Sequence, residues 1–420
     1  MLASLFGVAQ AEEAMPEYTF LDSVKAGKSM TSFRLRYEYV DQDAKAEKGN
    51  ALTLRSLIGW QTAPFHNFSI GAQVIDVSKL ENRYDDRALG DPEPGKGQHP
   101  IIADPDNTDI NQLYVDWTGI RNTKFRVGRQ QVNLDNVRFV GDIGFRQVMQ
   151  VFDGVSVINK SIPDTEITVA HFDRVKQINT RLRSGDLDIV NAKYRISPSE
   201  SVTAYGYFNN FNDLGFTAAN GLGAGADASS KTLGLRLDGA HGFTPEWKGL
   251  YTAEYAKQDE YSGGDDRIDA HYYKLGGGAM YKSWFVRFDH ETLSSNDGQY
   301  AFQTPFGTNH LFQGWADQFL VTPRQGIKDN FVTFGGKPIG DLTLLAEYHV
   351  FDADENFAKF GGGFGDQYGK EFDVSAMYSV SAKFWVKAEY ANFQEEDRIA
   401  LATGRKPDVE KVWLTAMYTF

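Results

Sequence analysis

The sequence contains no cysteine. That excludes disulfides, thiolate metal sites, a cysteine nucleophile and covalent c-type haem attachment. It has no run of about twenty apolar residues, so no transmembrane helix is expected. Basic residues are outnumbered: 43 Lys and Arg stand against 56 Asp and Glu, for a net charge of −13. A nucleic-acid partner is not expected, because phosphate binding needs a basic surface. Catalytic motifs are missing as well. The 8 histidines are scattered, and no H-E-x-x-H, G-x-S-x-G or P-loop pattern occurs. No catalytic residue, cofactor or metal site is expected. No linker rich in Pro and Ser divides the 420 residues, which read as one large domain.

Aromatic residues and glycine are plentiful, with 20 Tyr, 30 Phe and 41 Gly. The mean hydropathy is nevertheless polar, at −0.42. Many aromatics with a polar average suit a sheet that has one apolar face and one wet face.

The local pattern agrees. In "SFRLRYEYV", Phe33, Leu35, Tyr37 and Tyr39 share a face, and Arg34, Arg36 and Glu38 take the other. In "LTLLAEYHV", Leu342, Leu344, Ala346, Tyr348 and Val350 alternate with Thr343, Leu345, Glu347 and His349. "EFDVSAMYSV" and "KFWVKAEY" repeat the period of two, and no helical period of 3.6 competes with it. Strands of about ten residues, apolar outward and polar inward, are the signature of a transmembrane antiparallel β-barrel. A closed sheet is one of the few structures that satisfies every backbone group in lipid.

The links supply a second test. Longer ones fall near 42–50, 82–109, 132–149, 178–185, 213–229, 259–268, 295–326, 353–368 and 396–407. Shorter ones fall near 63–67, 119–123, 160–164, 197–200, 243–246, 281–283, 337–341 and 380–382. They alternate strictly, as long extracellular loops and short periplasmic turns do. About eighteen strands are predicted, with sixteen as the alternative because boundaries blur around 165–197. Residues 1–11 read as a signal-peptide remnant ending in the A-x-A pattern Ala9-Gln10-Ala11, and 12–420 as the barrel. The last strand, "VWLTAMYTF", alternates Val412, Leu414, Ala416, Tyr418 and Phe420 toward lipid. It is expected to close the barrel on the first strand, with Tyr418 and Phe420 as a signal to the barrel-assembly machinery.

Two segments carry a family likeness. "VGRQQVNLDNVRFVGDIGFRQVMQVFDGV", residues 127–155, and "TPFGTNHLFQGWADQFLVTPRQGIKD", residues 304–329, resemble segments of the alginate-export family of bacterial outer-membrane porins. The resemblance implies an eighteen-stranded barrel in the outer membrane of a Gram-negative cell, monomeric rather than trimeric.

The inward positions bear mixed charge. Arg34, Arg36, Arg55, Arg126, Arg236, Arg287 and Lys387 stand against Glu38, Asp116, Asp238, Glu254, Asp289, Glu291, Glu347 and Glu389. A conduit for a polyanion needs a basic lumen, whereas this one is near balance. The links at 132–149 and 295–326 contain too many large apolar groups for loops in open water. Both are expected to fold inward. Asp135, Arg138, Asp142 and Arg146, with Arg129 before and Asp153 after, would form a charged ring; the alternative is a hairpin that extends the wall. In the second link Asn309, His310, Trp315, Asp317 and Arg324 would be a ligand surface or a loop anchor. The acidic stretches "YDDRALGDPEPG" and "GGDDRID" read as solvated loops.

These readings predict a porin for ion transport and passive diffusion of small hydrophilic solutes, anionic ones included. Lipid and lipopolysaccharide would surround it. The alternatives are a channel for export or uptake of an acidic saccharide, a structural sleeve around a partner such as a cytochrome, and an outer-membrane enzyme using a rim Ser–His pair.

Overall fold

A computed structural model describes residues 19–212, 214–215, 221–223, 225–400 and 405–420. The signal-peptide expectation for 1–11 lies outside the described residues. Eighteen antiparallel strands close into a barrel. They are β1 (Ser32–Gln42), β2 (Gly49–Gln61), β3 (Phe68–Arg83), β4 (Asn107–Trp117), β5 (Thr123–Gln130) and β6 (Val151–Asn159). Then follow β7 (Thr165–Lys176), β8 (Leu182–Ser197), β9 (Glu200–Asn210), β10 (Ser230–Gly242), β11 (Trp247–Glu260) and β12 (Asp269–Tyr281). The circuit ends with β13 (Trp284–Leu293), β14 (Ile327–Ile339), β15 (Leu342–Ala358), β16 (Phe364–Ser381), β17 (Phe384–Glu395) and β18 (Val409–Thr419). β18 pairs with β1 from Ser32↔Thr419 to Gln42↔Val409, so no edge is left open.

Longer and shorter links alternate round most of the circuit, though 43–48 equals 62–67 and 160–164 equals 177–181 in length, and the region around 165–197 resolves into β7 and β8. Three links are shorter than expected, with 177–181 and 340–341 in place of 178–185 and 337–341. β15 and β16 run on past the rim through two register irregularities, which leaves only 359–363 between them instead of 353–368. Two of the short turns use residues that tolerate left-handed backbone: Asn122 and Asp164 have φ of 57° and 55°. Near that end lies a helix, α1 (Phe20–Lys25), opened by a reciprocal Thr19–Asp22 cap. Its Val24 carbonyl accepts from Trp60 Nε1 at 2.8 Å.

Outward side chains form the apolar belt: Leu35, Val115, Leu235, Phe288, Tyr348 and Leu414 are all exposed. Aromatics gather toward the short-turn end. Trp117 lies 6.4 Å from Phe68 and 5.3 Å from Phe125, and Trp247 lies 4.8 Å from Tyr281. Such girdles mark the level where lipid meets water. Tyr418 and Phe420 belong to one, with Phe420 packed 5.8 Å from Phe33 across the seam.

The inward face departs from simple alternation. Toward the long-loop end, Tyr205, Tyr207, Tyr272, Phe351, Phe393 and Trp413 point in and are buried. They receive apolar groups from the third long loop (131–150) and the seventh (294–326). Phe139 packs 5.2 Å from Tyr205 and 5.3 Å from Tyr272. Phe319 packs 4.8 Å from Phe351 and 5.9 Å from Phe393. Loops folded into a barrel must bury their own apolar groups, and the wall supplies the sockets.

Candidate functional site: the constricted lumen

The two inward loops meet within the barrel. Val140 pairs with Phe306 as an isolated bridge. Gly141 N donates to Phe306 O at 2.8 Å, and Thr308 N to Val137 O at 2.9 Å. At the foot of the third loop Gly128 and Gly154 face each other across β5 and β6, with φ of 124° and 155°. A Cβ on either would come within 2.3 and 2.2 Å of a carbonyl oxygen on the next strand, so only glycine fits there.

Charged side chains tie the loops to the wall. Arg34 Nη1 donates to Gly144 O at 2.7 Å, its Nη2 to Phe145 O at 2.9 Å, and its Nε to Gln147 Oε1 at 2.9 Å. Arg36 binds Phe145 O and Asp104 and lies 3.4 Å from Glu38. These two arginines therefore seat the loop from beneath. Arg146 pairs with Glu38 at 3.0 Å and with Asp317 at 3.0 Å. Arg138, almost fully buried, pairs with Glu291 at 2.8 Å and also donates to Gln313 Oε1 at 2.9 Å.

Asp317 gathers most of the second loop. It accepts from Lys411 Nζ at 2.8 Å and meets His310 Nδ1 at 2.7 Å. Burial by itself would raise the Asp317 carboxyl, but Lys411, His310 and Arg146 hold it well below the usual range. The His310 imidazole is stacked 3.3 Å from the Phe145 ring, and burial lowers its basicity.

The remaining lumen charges are largely paired by strand register. Arg126 sits opposite Asp116 and binds it at 2.6 and 2.8 Å. Arg129 sits opposite Asp153 and binds it at 2.7 and 2.9 Å. Arg236 binds Asp238 and also Glu254, at 2.8 Å. Arg287 binds Asp289 at 2.8 Å.

Other predicted residues are placed differently. Asp142 shapes its own turn, accepting from Gly144 N at 2.9 Å, and Asp135 accepts from Asn191 Nδ2 at 2.7 Å. Trp315 is buried, with its backbone N–H on Asp373. Its ring lies 5.8 Å from Lys387 Nζ of β17. Asn309 is also internal, accepting from Arg138 at 3.3 Å. Arg324 is exposed at the loop's outer side, away from the ion pairs. The stretch at 84–95 is not simply solvated either. Asp85 and Asp86 are buried, and Asp86 pairs with Lys79 at 2.6 Å.

Several key residues escaped prediction. Asp104, Gln147, Gln313 and Lys411 are loop or wall partners whose importance depends on long-range contact. Glu371 and Asp373 left a faint signal, as carboxylates at inward strand positions. Glu371 accepts from Ala316 N at 2.6 Å.

Two larger cavities lie beside the loops among the described residues. One of about 530 Å³, toward the long-loop end, is lined by Arg87, Arg146, Arg181 and Arg183 together with Asn309 and His310. The other, about 340 Å³, is lined by Lys274, Arg287, Asp289 and Glu347 together with Leu311, Phe312 and Gln313. The segment 309–313 thus has one cavity on each side and acts as the partition between them.

No protein-family model matches the chain, and no curated protein does. Solved structures match in fold. Acinetobacter baumannii OccAB4 aligns with a TM-score of 0.69 at 15% identity, over 92% of this chain and 97% of that one. Pseudomonas aeruginosa OccK9 (OpdG) aligns with a TM-score of 0.70 at 13% identity, over 94% and 98%. Acinetobacter baumannii OccAB2 gives 0.69 at 14% identity, over 95% and 99%. The family expectation drawn from 127–155 and 304–329 is therefore corrected: these neighbours are Occ/Opd outer-membrane porins, not alginate-export porins. The two segments that carried the likeness build the inward loops and the ends of their flanking strands. At these identities what is shared is the fold, a closed eighteen-stranded barrel of the kind seen in the Occ/Opd porins.

Proposed function

We propose that the chain is an outer-membrane porin through which small hydrophilic solutes, anionic ones included, diffuse passively. The short turns would face the periplasm and the long loops the outside. The observation that carries this reading is the partition at 309–313, with a cavity that charged side chains help to line on either side. A lumen lined by paired charges lets a polar solute exchange water for protein hydrogen bonds, while the transverse dipoles slow apolar ones. The arginines of the larger cavity favour anions at the outer mouth. A sleeve around a cytochrome is not favoured, because Phe139 and Phe319 lock the loops across the space a protein would need.

Single-channel recording of the purified, folded protein in a planar bilayer under a salt gradient tests the proposal. Small, steady openings with weak selectivity are expected. Folded barrels that never conduct would overturn it.

A further inference from the structure

Beneath the seventh loop, three neighbouring strands bring one imidazole and four carboxylates together. His349 and Glu347 lie on β15, Asp373 and Glu371 on β16, and Asp329 on β14. His349 Nε2 lies 3.9 Å from Glu347 Oε2 and 3.7 Å from Asp373 Oδ2. Ligand atoms of these three residues all fall within 4.8 Å of one another. His349 is 2% exposed, and its Nε2 has no hydrogen-bond partner. Buried polar atoms without partners are uncommon, and each asks for an explanation.

The groups around these atoms are arranged as supports. His349 Nδ1 faces both oxygens of Asp329 at 3.0 Å. With an ion on Nε2, that contact would keep the ring proton on Nδ1, and Nε2 already faces the two carboxylates. A carboxylate on the far nitrogen of a ligating histidine is the usual second layer of a metal site. Thr333 Oγ1 donates to Glu347 Oε1 at 2.8 Å, which leaves Oε2 free. The ring is fixed between Phe331 at 4.8 Å and Phe351 at 5.3 Å, both stacked on it. Asp373 is held by Trp315 N at 3.3 Å.

We propose that His349 Nε2, Glu347 and Asp373 form a binding site for a divalent transition ion of the zinc class, open to the lumen. Metal–ligand bonds of about 2.1 Å in a tetrahedron put neighbouring ligand atoms about 3.4 Å apart. The observed 3.7 and 3.9 Å need a small contraction, and the Glu347–Asp373 pair, within 4.8 Å, closes on the ion as its carboxylates turn toward it. Two of the ligands, Glu347 and His349, line the 340 Å³ cavity, which gives the ion its path and a place for water at the fourth position. The ion also answers an electrostatic need, because it offsets carboxylates that one imidazole cannot balance. Nitrogen with two carboxylates suits zinc, cobalt or nickel better than calcium, which takes oxygen ligands only. The sequence hid this site, since its three ligands come from two strands and the supporting Asp329 from a third.

The test uses the full-length barrel, stripped with EDTA, judged folded by heat-modifiable gel mobility, and titrated with Co²⁺ and then Zn²⁺. One equivalent of Co²⁺ per chain is expected, with the visible absorption of a tetrahedral site, displaced by Zn²⁺. His349→Ala should abolish that spectrum. Asp329→Asn should weaken binding by about 10–100-fold while leaving the stoichiometry. Glu347→Gln, at the cavity edge, serves if His349→Ala does not fold. A folded wild-type barrel without saturable binding would overturn the proposal and leave His349 as an imidazolium among carboxylates. An unchanged spectrum in a folded ligand variant would overturn it too. The readout is binding, so it stands apart from whether the barrel conducts.

Discussion

Arg146 and Asp317 come from different loops, yet their charged groups meet at 3.0 Å with both side chains buried. Lys411 of β18 reaches the same carboxylate at 2.8 Å. Removing one member of such a group leaves the others charged and uncompensated, a loss of about 3–5 kcal/mol. Asp317→Asn should therefore loosen both loops. Single-channel traces of the variant should show larger, noisier openings than wild type; quiet traces would mean that the aromatic sockets alone hold the loops.

The same carboxyl fixes an acid limit. Its value in the folded protein is held well below the ordinary 3.8. The unfolded or undocked chain then binds more protons in the acid range, so the clamp is fully present above 3.8 and is lost as pH falls through the lower, folded value. Wild-type openings should stay steady down to about pH 4 and become noisy only further below. Noise that begins near pH 6 would point to another group.

Arg138 bears on ion selectivity. Its guanidinium neutralises Glu291, and both are 1% exposed. Arg138→Gln removes a positive charge and frees a negative one beside the smaller cavity. The reversal potential under a salt gradient should shift toward cation preference. No shift would place Glu291 outside the conducting path.

The aromatic sockets can be tested without touching charge. Phe139 fills a pocket made by Tyr205, Tyr207, Tyr272 and Phe302. Phe139→Ala should cost about 3–5 kcal/mol of loop docking. Calorimetry should show the barrel transition little changed and a new, earlier loop transition.

Lys406 gives a second pH dependence, of the same sense but in the alkaline range. Burial pushes its ammonium down to about 8, although it donates to Gln318 O at 2.5 Å and lies 5.0 Å from the Phe319 ring. The free side chain titrates at 10.5. Between those two values the undocked state binds more protons, so docking strengthens as pH rises through that window. Lys406→Met should slow hydrogen exchange over 314–320 at pH 7 and make little difference near pH 10. A gap that stays constant with pH would contradict this account.

The barrel was legible in the sequence because a period of two and the alternation of link lengths are local signals. Phe33, Leu35 and Tyr37 announce a face without reference to any other strand. The inward loops were legible from composition, since Phe306, Phe312 and Phe319 have no place in open water. Partner choice was not. Asp317 reads as a surface carboxylate until β18 brings Lys411 beside it. Arg34 and Arg36 read as lumen charges, although they serve backbone carbonyls of a loop about 110 residues away. The inward aromatics break the alternation, and only the loops that cover them explain why.

One group of fastenings sits at the seam of the cylinder. Arg34 and Arg36 lie on β1, and Lys411 and Trp413 on β18, the first and last strands, whose pairing closes the cylinder. Neither strand alone presents the full set of contacts that Phe145, Arg146, His310 and Asp317 require. The narrow passage can therefore mature only after the cylinder has sealed. Such an order makes a tight channel a mark of completed assembly, and a barrel that fails to seal should leak rather than sieve.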